Sequence, residues 1–231
     1  MAMHGRQRGG RALLALVLDV GTLAVALAAA VVLVRRIQHP TTPSAEARPR
    51  YPRRVANWAE FSQRGARVGP QQAAVTIVEF GDYECQFCTR AATYLNRLRQ
   101  RFPGDVAIVY RHYPIHEHAF AAAVAAECAR EQGFFEPFHD ALYGGARLIG
   151  TIPWTAFARE AGIPDTLTFV RCMRGGQAAA AVSLDTSDAA RLRVRGTPTF
   201  LVNDVVVPGF AGDQIMDSVV RSRLMQARTS R

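Results

Sequence analysis

The sequence contains no lysine, and all 28 of its basic residues are arginine, against 19 acidic residues. The positive charge is concentrated near the amino terminus, where residues 1–57 hold nine arginines and two acidic residues. Residues 58–231 are nearly neutral, with 19 arginines and 17 acidic residues. Nucleic-acid-binding domains carry clustered basic residues on their folded part. We therefore expect no nucleic-acid partner, and we attribute the missing lysine to coding bias.

Charged residues are also nearly absent from residues 12–34, which contain only Asp19. At about 1.5 Å rise per residue, a helix of this length crosses a hydrocarbon core of about 30 Å. A cleavable signal peptide is the alternative, but its apolar region usually has only about 7–15 residues. We interpret 12–34 as an uncleaved transmembrane signal anchor, with residues 1–11 in the cytoplasm.

A linker is predicted to follow the anchor. Residues 35–57 contain four prolines and six arginines and show no apolar period. This composition indicates an extended tether that holds the domain at 58–231 away from the membrane. Arginines lie on both sides of the span, so charge alone leaves its orientation undecided.

The domain after the linker shows an α/β pattern. A β-branched strand at 74–80 leads through a turn into a helix that begins at Cys85, and a second strand covers 105–113. A helical block follows, then two short strands joined by Asn203-Asp204, and finally an amphipathic helix. This order predicts an α/β layer architecture with an inserted α-helical lobe at about 114–192.

Cysteine is scarce, and the spacing of the four cysteines limits their use. Cys85 and Cys88 form a Cys-x-x-Cys pair without a second such pair, and the histidines lack standard metal spacing, so we expect no metal. A disulfide over a four-residue loop adds little stability. Because a helix amino terminus lowers the pKa of a thiol, we predict a redox pair. Cys85 is the expected nucleophile and Cys88 the more buried resolving cysteine.

Three acidic residues precede this pair. Glu79 lies on the predicted strand, and we expect its carboxylate to point under the helix and take the proton of Cys88 during exchange. An ordinary acid at the sheet surface is the alternative. Asp82 and Glu84 are expected to be exposed to solvent.

Four segments together resemble the DsbA-like thiol–disulfide oxidoreductases of the thioredoxin superfamily, namely VTIVEFGDYECQFC, YRHYPI, AAECAREQGFFEPFHDALY and RVRGTPTFLVN. The resemblance covers about residues 58–226 and implies a thioredoxin fold with a helical insertion. It implies that Thr197-Pro198 forms a cis-proline loop facing the cysteine pair. There the backbone of Thr197 would pair with an extended substrate chain. Glu79 falls at the position of the buried acid of the family.

The two residues between the cysteines depart from the family pattern. Gln86-Phe87 stands where the best-known strong oxidants carry Pro-His, and the missing histidine is a stabiliser of the thiolate. The resemblance therefore leaves the direction of electron flow open. We expect both residues to contact substrate, with Phe87 as part of an apolar patch beside Cys85.

The remaining cysteines, Cys128 and Cys172, lie in two predicted helices of the lobe. They are each other's only partner once Cys85 and Cys88 are paired, so we predict a structural disulfide. Two buried cysteines that never meet are the alternative. A persistent disulfide requires an oxidising compartment. With the anchor, this places residues 35–231 on the extracytoplasmic (periplasmic) side of the cell membrane.

These expectations lead to one functional hypothesis and two alternatives. The hypothesis is a membrane-anchored oxidoreductase without a cofactor that introduces disulfides into secreted proteins. A quinone-linked membrane partner of the DsbB or VKOR type would reoxidise it. The alternatives are a disulfide reductase or isomerase, as in cytochrome c maturation, and a non-catalytic module that uses the fold only to bind peptides.

Overall fold

The structure, a computed structural model, describes three stretches of the chain, residues 27–31, 34–35 and 53–229. Among these residues, no helix combines the length and the apolar character needed to cross a membrane. Only residues 27–31 and 34 of the anchor predicted at 12–34 are described. Residues 36–52 of the linker predicted at 35–57 and the whole of the segment at 1–11 lie outside the described residues. The anchor, the linker up to residue 52 and the amino-terminal segment stay predictions.

A six-stranded sheet runs through the domain. Its strands are β1 (Arg53–Arg54), β2 (Ala66–Val68), β3 (Val75–Gly81), β4 (Val106–His112), β5 (Thr199–Val202) and β6 (Val205–Pro208). The spatial order is β1-β6-β5-β3-β4-β2. Strands β3 and β4 are parallel, and the other neighbouring pairs are antiparallel. Parallel neighbours need a crossover connection, and a helix supplies it here.

That crossover helix is α1 (Gln86–Arg101). The lobe helices, all between β4 and β5, are α2 (Ala119–Glu131), α3 (Phe135–Gly144), α4 (Trp154–Glu160), α5 (Thr166–Arg174) and α6 (Gly176–Arg191). Helix α7 (Asp213–Thr229) follows the last strand, and short 3-10 helices cover Trp58–Ser62 and Ala146–Leu148. The predicted α/β architecture with a helical insertion is confirmed.

Apolar side chains cover both faces of the sheet. In β3, Val75 and Ile77 pack into the cluster that contains the apolar face of α1. Val78 and Phe80 pack into a second cluster on the other face. Successive strand residues point to opposite faces. Glu79 therefore belongs to the face of Val75 and Ile77, which is the side of α1.

The linker prediction is wrong at its carboxyl end. Arg53 pairs with Val206 and Arg54 with Val205, so β1 is part of the sheet rather than of a tether. A strand of two residues is too short to show a hydrophobic period. Only its pairing with β6 defines it, and the sequence carries no local sign of that pairing.

A disulfide connects two helices of the lobe. It joins Cys128 of α2 to Cys172 of α5, which are 44 positions apart in the sequence. Cys128 is fully buried among the apolar side chains of the lobe. The structure thus pairs the same two cysteines that the sequence leaves as partners.

Candidate active site

Cys85 lies at the junction between β3 and α1. It is the N-cap residue of α1, and its N–H is hydrogen-bonded to the carbonyl oxygen of Asp82 at 3.1 Å. Its sulfur lies 3.4 Å from the carbonyl oxygen of Thr197, a residue 112 positions later in the chain. The structure therefore brings the predicted nucleophile together with the predicted substrate-binding loop.

The surroundings of Cys85 favour its thiolate. A hydrogen bond from the Cys88 thiol lowers the pKa of Cys85 to about 5, against burial, which acts in the opposite direction. Backbone N–H groups of Phe87 and Cys88, at the first turn of α1, add to the lowering. Near neutral pH the Cys85 sulfur is therefore ionised, which is the reactive form of a cysteine.

The surroundings of Cys88, in contrast, favour its protonated thiol. It lies fully buried on α1, one turn beyond Cys85. Burial raises the pKa of its thiol far above the ordinary value, and the hydrogen bond that it donates to Cys85 adds to the rise. A buried thiol of this kind stays protonated until another group takes its proton.

Glu79 is buried on the α1 side of the sheet. Burial raises the pKa of its carboxyl to about 8, and the charge of Cys85 adds to the rise. Neither of its carboxylate oxygens is hydrogen-bonded to any described residue. The position excludes the alternative of an ordinary surface acid. A carboxyl with this pKa exchanges protons readily near neutral pH.

The loop before β5 faces the nucleophile. The peptide bond between Thr197 and Pro198 is cis, and Pro198 is buried. The carbonyl oxygen of Pro198 accepts a hydrogen bond from the N–H of Gly209 at 2.7 Å, and the hydroxyl of Thr199 donates to the carbonyl oxygen of Gly196 at 2.7 Å. These contacts hold the loop in place opposite Cys85.

Gln86 and Phe87 are on the surface beside the nucleophile. Both are exposed, and Phe87 keeps 44% of its surface accessible. The guanidinium carbon of Arg90 lies 4.7 Å from the centre of the Phe87 ring. An exposed aromatic ring next to a reactive sulfur is available for contact with an apolar part of a substrate.

Asp82 is buried, so the expectation that it is exposed is wrong. Its carboxylate accepts hydrogen bonds from the backbone N–H groups of Glu84, Ile115 and His116 at 2.7 to 3.1 Å. It also lies 2.9 Å from Nδ1 of His116, and this hydrogen bond raises the pKa of His116. Asp82 thereby fixes the loop that carries Cys85 to the loop after β4. The available sequence signal was the tendency of aspartate in turns to bind the N–H two residues later.

Glu84 makes a connection similar to that of Asp82, and it is only partly exposed. Its carboxylate accepts a hydrogen bond from the N–H of His118 at 2.7 Å and lies 3.2 Å from Nδ1 of the same histidine. Two acidic residues before the cysteine pair thus bind two histidines of the β4–α2 connection. From the sequence, His116 and His118 were not expected to belong to the site.

Comparison with known proteins identifies the family of this chain. A family model described as Thioredoxin matches residues 62–220. The chain belongs to the thioredoxin family. Within this family, a solved thioredoxin-like oxidoreductase from Silicibacter pomeroyi DSS-3 is 34% identical, with a TM-score of 0.62 and coverage of 73% of this chain and 98% of that one.

A second solved relative is α-DsbA1 of Wolbachia pipientis. It has 18% identity, a TM-score of 0.61 and coverage of 71% of this thioredoxin-family chain and 92% of its own. At that identity the similarity shows the fold alone. The predicted resemblance to DsbA-like proteins is confirmed.

The curated relatives are much longer than this chain. The Na(+)/H(+) antiporter NhaA of Herminiimonas arsenicoxydans is 30% identical over 161 residues, which is 70% of this chain but 26% of the antiporter. The chain therefore spans about a quarter of the length of the curated relatives it matches. The name describes the whole antiporter, and only that quarter of it resembles this domain.

Proposed function

We propose that this protein introduces disulfides into secreted proteins through Cys85 and Cys88. The observation that carries the proposal is the difference between the two thiols, since the pKa of Cys85 is lowered to about 5 while burial raises that of Cys88. A stabilised thiolate favours the reduced form of the pair. A protein whose reduced form is stabilised is a strong oxidant of other thiols.

The proposed reaction proceeds through a mixed disulfide. A substrate thiolate attacks the sulfur of Cys85 in the oxidised pair, and Cys88 leaves as a thiolate that takes a proton from the Glu79 carboxyl. A second substrate thiolate then attacks the substrate sulfur of the mixed disulfide, and Cys85 leaves as its stable thiolate. The substrate loses two electrons and gains a disulfide, while the pair gains the two electrons. The extended substrate would lie against the backbone of Thr197.

The proposed location is the extracytoplasmic side of the cell membrane. Residues 12–34 would anchor the domain, and residues 35–52 would hold it away from the bilayer. Support comes from the apolar run itself, from the Cys128–Cys172 disulfide, and from relatives in which a similar domain is part of a protein named as a Na(+)/H(+) antiporter. A quinone-linked membrane partner of the DsbB or VKOR type would reoxidise the pair.

The reduction potential of the Cys85–Cys88 pair tests this direction. We expect a value near that of strong oxidants, about −120 mV. A value near that of thioredoxin, about −270 mV, would contradict the oxidase proposal and favour the reductase, which Gln86-Phe87 also allows.

Two variants test the roles of the cysteines in oxidation of a reduced test protein. Cys85→Ser removes the attacked sulfur, so activity should be lost completely. Cys88→Ser keeps Cys85 but removes the resolving thiol. When it is mixed with a test protein that carries a disulfide, the Cys85 thiolate should displace one sulfur of that disulfide and leave a mixed disulfide visible on a non-reducing gel. Full activity of Cys85→Ser would rule out the proposed function.

A further inference from the structure

A small buried cavity adjoins Glu79. Its lining includes Glu79, Gly81, Tyr83, His139 and Tyr143, and it has room for about one water molecule. Glu79, Tyr83 and His139 are all buried. Polar groups from β3, the loop after it and α3 therefore meet in one small space beside the carboxyl that is proposed to exchange a proton with Cys88.

Three polar atoms in this region have no hydrogen-bond partner among the described residues. They are the two carboxylate oxygens of Glu79 and Nε2 of His139. Leaving a buried polar atom unpaired is costly, and most such atoms in proteins bind another group or an ordered water. Buried waters typically make about three hydrogen bonds to groups of this kind.

The space exists because position 81 has no side chain. A Cβ atom at Gly81 would lie 3.2 Å from the hydroxyl oxygen of Tyr143 and 3.5 Å from Oε1 of Glu79. A side chain at this position would therefore lie against both groups. Any larger residue at this position would fill the space with carbon.

Tyr83 determines which nitrogen of His139 carries the proton. The hydroxyl of Tyr83 lies 3.1 Å from Nδ1 of His139. A buried hydroxyl needs an acceptor for its proton, so Tyr83 donates to Nδ1 and the neutral imidazole carries its proton on Nε2. Burial lowers the pKa of His139 to about 3, which keeps the ring neutral. Nε2 is then a hydrogen-bond donor without a partner among the described residues, on a side chain that lines the cavity.

We propose that this cavity holds one water molecule, which accepts a hydrogen bond from Nε2 of His139 and donates one to the carboxylate of Glu79. The inference rests on the proposed function, in which Glu79 exchanges a proton with Cys88. In that exchange the proton moves between the Cys88 sulfur and a Glu79 oxygen, while the water and His139 keep their own protons. His139 is a positioning residue, because it acts on Glu79 only through the water.

The pH at which the Glu79 carboxyl titrates depends on whether this water is present. Gly81→Ala fills the space with a methyl group, and His139→Phe keeps a ring but removes the donor. Each should raise the pH at which the Glu79 carboxyl titrates by about one unit, because a hydrogen bond to a carboxylate contributes about that much. The titration is followed by carbon-13 NMR of the Glu79 side chain in the reduced, full-length protein.

Two further variants separate the water from a general loss of packing. His139→Gln keeps an amide that accepts from Tyr83 and donates toward the cavity, so Glu79 should titrate as in the wild type. Gly104→Ala is the control for adding a methyl group to a glycine, since a Cβ there meets no atom within 4 Å. It should leave the titration unchanged.

Unchanged titration of Glu79 in both Gly81→Ala and His139→Phe would overturn the inference, as would a high-resolution crystal structure with a dry cavity. The proposed function fails separately, if the wild-type protein exchanges no disulfides with a test protein. The titration series still decides whether the water site exists in that case, because it does not depend on catalytic turnover.

Discussion

At the scale of single residues, the two cysteines of the site differ because of what surrounds each sulfur atom. The Cys85 sulfur receives a hydrogen bond from Cys88 and lies at a helix amino terminus, whereas the Cys88 sulfur is fully enclosed. The hydrogen bond between them stabilises one thiolate at the expense of the other. Cys85 is therefore both the better nucleophile and the better leaving group of the pair.

The lowered pKa of Cys85 predicts a stability that depends on redox state and pH. Its folded-state pKa of about 5 is below the ordinary value of 9.0. The stabilisation of the reduced protein is therefore complete above about pH 9 and is lost as the pH falls through about 5. We expect the reduced form to resist urea better than the oxidised form near neutral pH, and the difference to narrow as the solution is acidified.

Urea unfolding of both redox forms across this pH range measures the effect. The same comparison in Glu79→Gln serves as a control, because it removes the ionisation of the neighbouring carboxyl. A difference between the two forms that stays constant with pH would contradict the assignment of the lowered pKa to Cys85.

At the scale of secondary-structure elements, covalent and ionic links hold the lobe together. The disulfide joins α2 to α5. Helix α2 is also linked to β4, because Nε2 of His112 lies 3.1 Å from a carboxylate oxygen of Glu127. Burial opposes ionisation of Glu127, but the hydrogen bonds and electrostatic attraction from His112 and Arg130 together outweigh it and lower the pKa of Glu127 to about 2. The lobe is thus tied to the strand that lies beside β3.

Removal of the lobe disulfide tests how much this link contributes. The double variant Cys128→Ala/Cys172→Ala opens a loop of 44 positions, and the chain-entropy relation gives a loss of about 4 kcal/mol in the free energy of unfolding. Denaturant unfolding measures the loss. The alkylation rate of Cys85 should stay unchanged in the folded variant, because the disulfide is in the lobe. A variant as stable as the wild type would show that the link contributes nothing.

At the scale of the whole molecule, one buried arginine connects three parts of the fold. The guanidinium of Arg111, on β4, lies 2.5 Å from a carboxylate oxygen of Asp185 and 2.6 Å from one of Asp188, both on α6. It also donates to the carbonyl oxygen of Phe61 in the first 3-10 helix at 2.7 Å. Arg111 therefore joins the sheet, the last helix of the lobe and the segment before β2.

Arg111→Met should destabilise the protein by about 3–5 kcal/mol, because it leaves buried carboxylates without their main counter-charge. Arg191→Met is the matched control. Arg191 contacts the same Asp188, but its side chain is 54% exposed, whereas that of Arg111 is 0% exposed. Loss of an exposed pair should cost about 1 kcal/mol or less. Equal losses in the two variants would contradict the role assigned to burial.

Local patterns were enough to predict the central elements. The β-branched run at 74–80 corresponds to β3, and the apolar spacing after Cys85 corresponds to α1. Both elements could be predicted because their hydrophobic patterns involve only residues that are close together in the sequence. Strand β1 has no such local pattern, because it exists only through its pairing with β6. The burial of Asp82 has no local pattern either, because its partners Ile115 and His116 come from a distant loop.

The sequence by itself determined the class of chemistry, since a Cys-x-x-Cys pair at the start of a helix is a redox motif wherever that helix packs. The tertiary structure alone decided how the pair is tuned. Burial and hydrogen-bond partners set the pKa values of Cys85, Cys88 and Glu79. Those partners include Thr197, 112 positions from Cys85. Desolvation and hydrogen bonding depend on distance in space, which residue spacing along the chain does not encode.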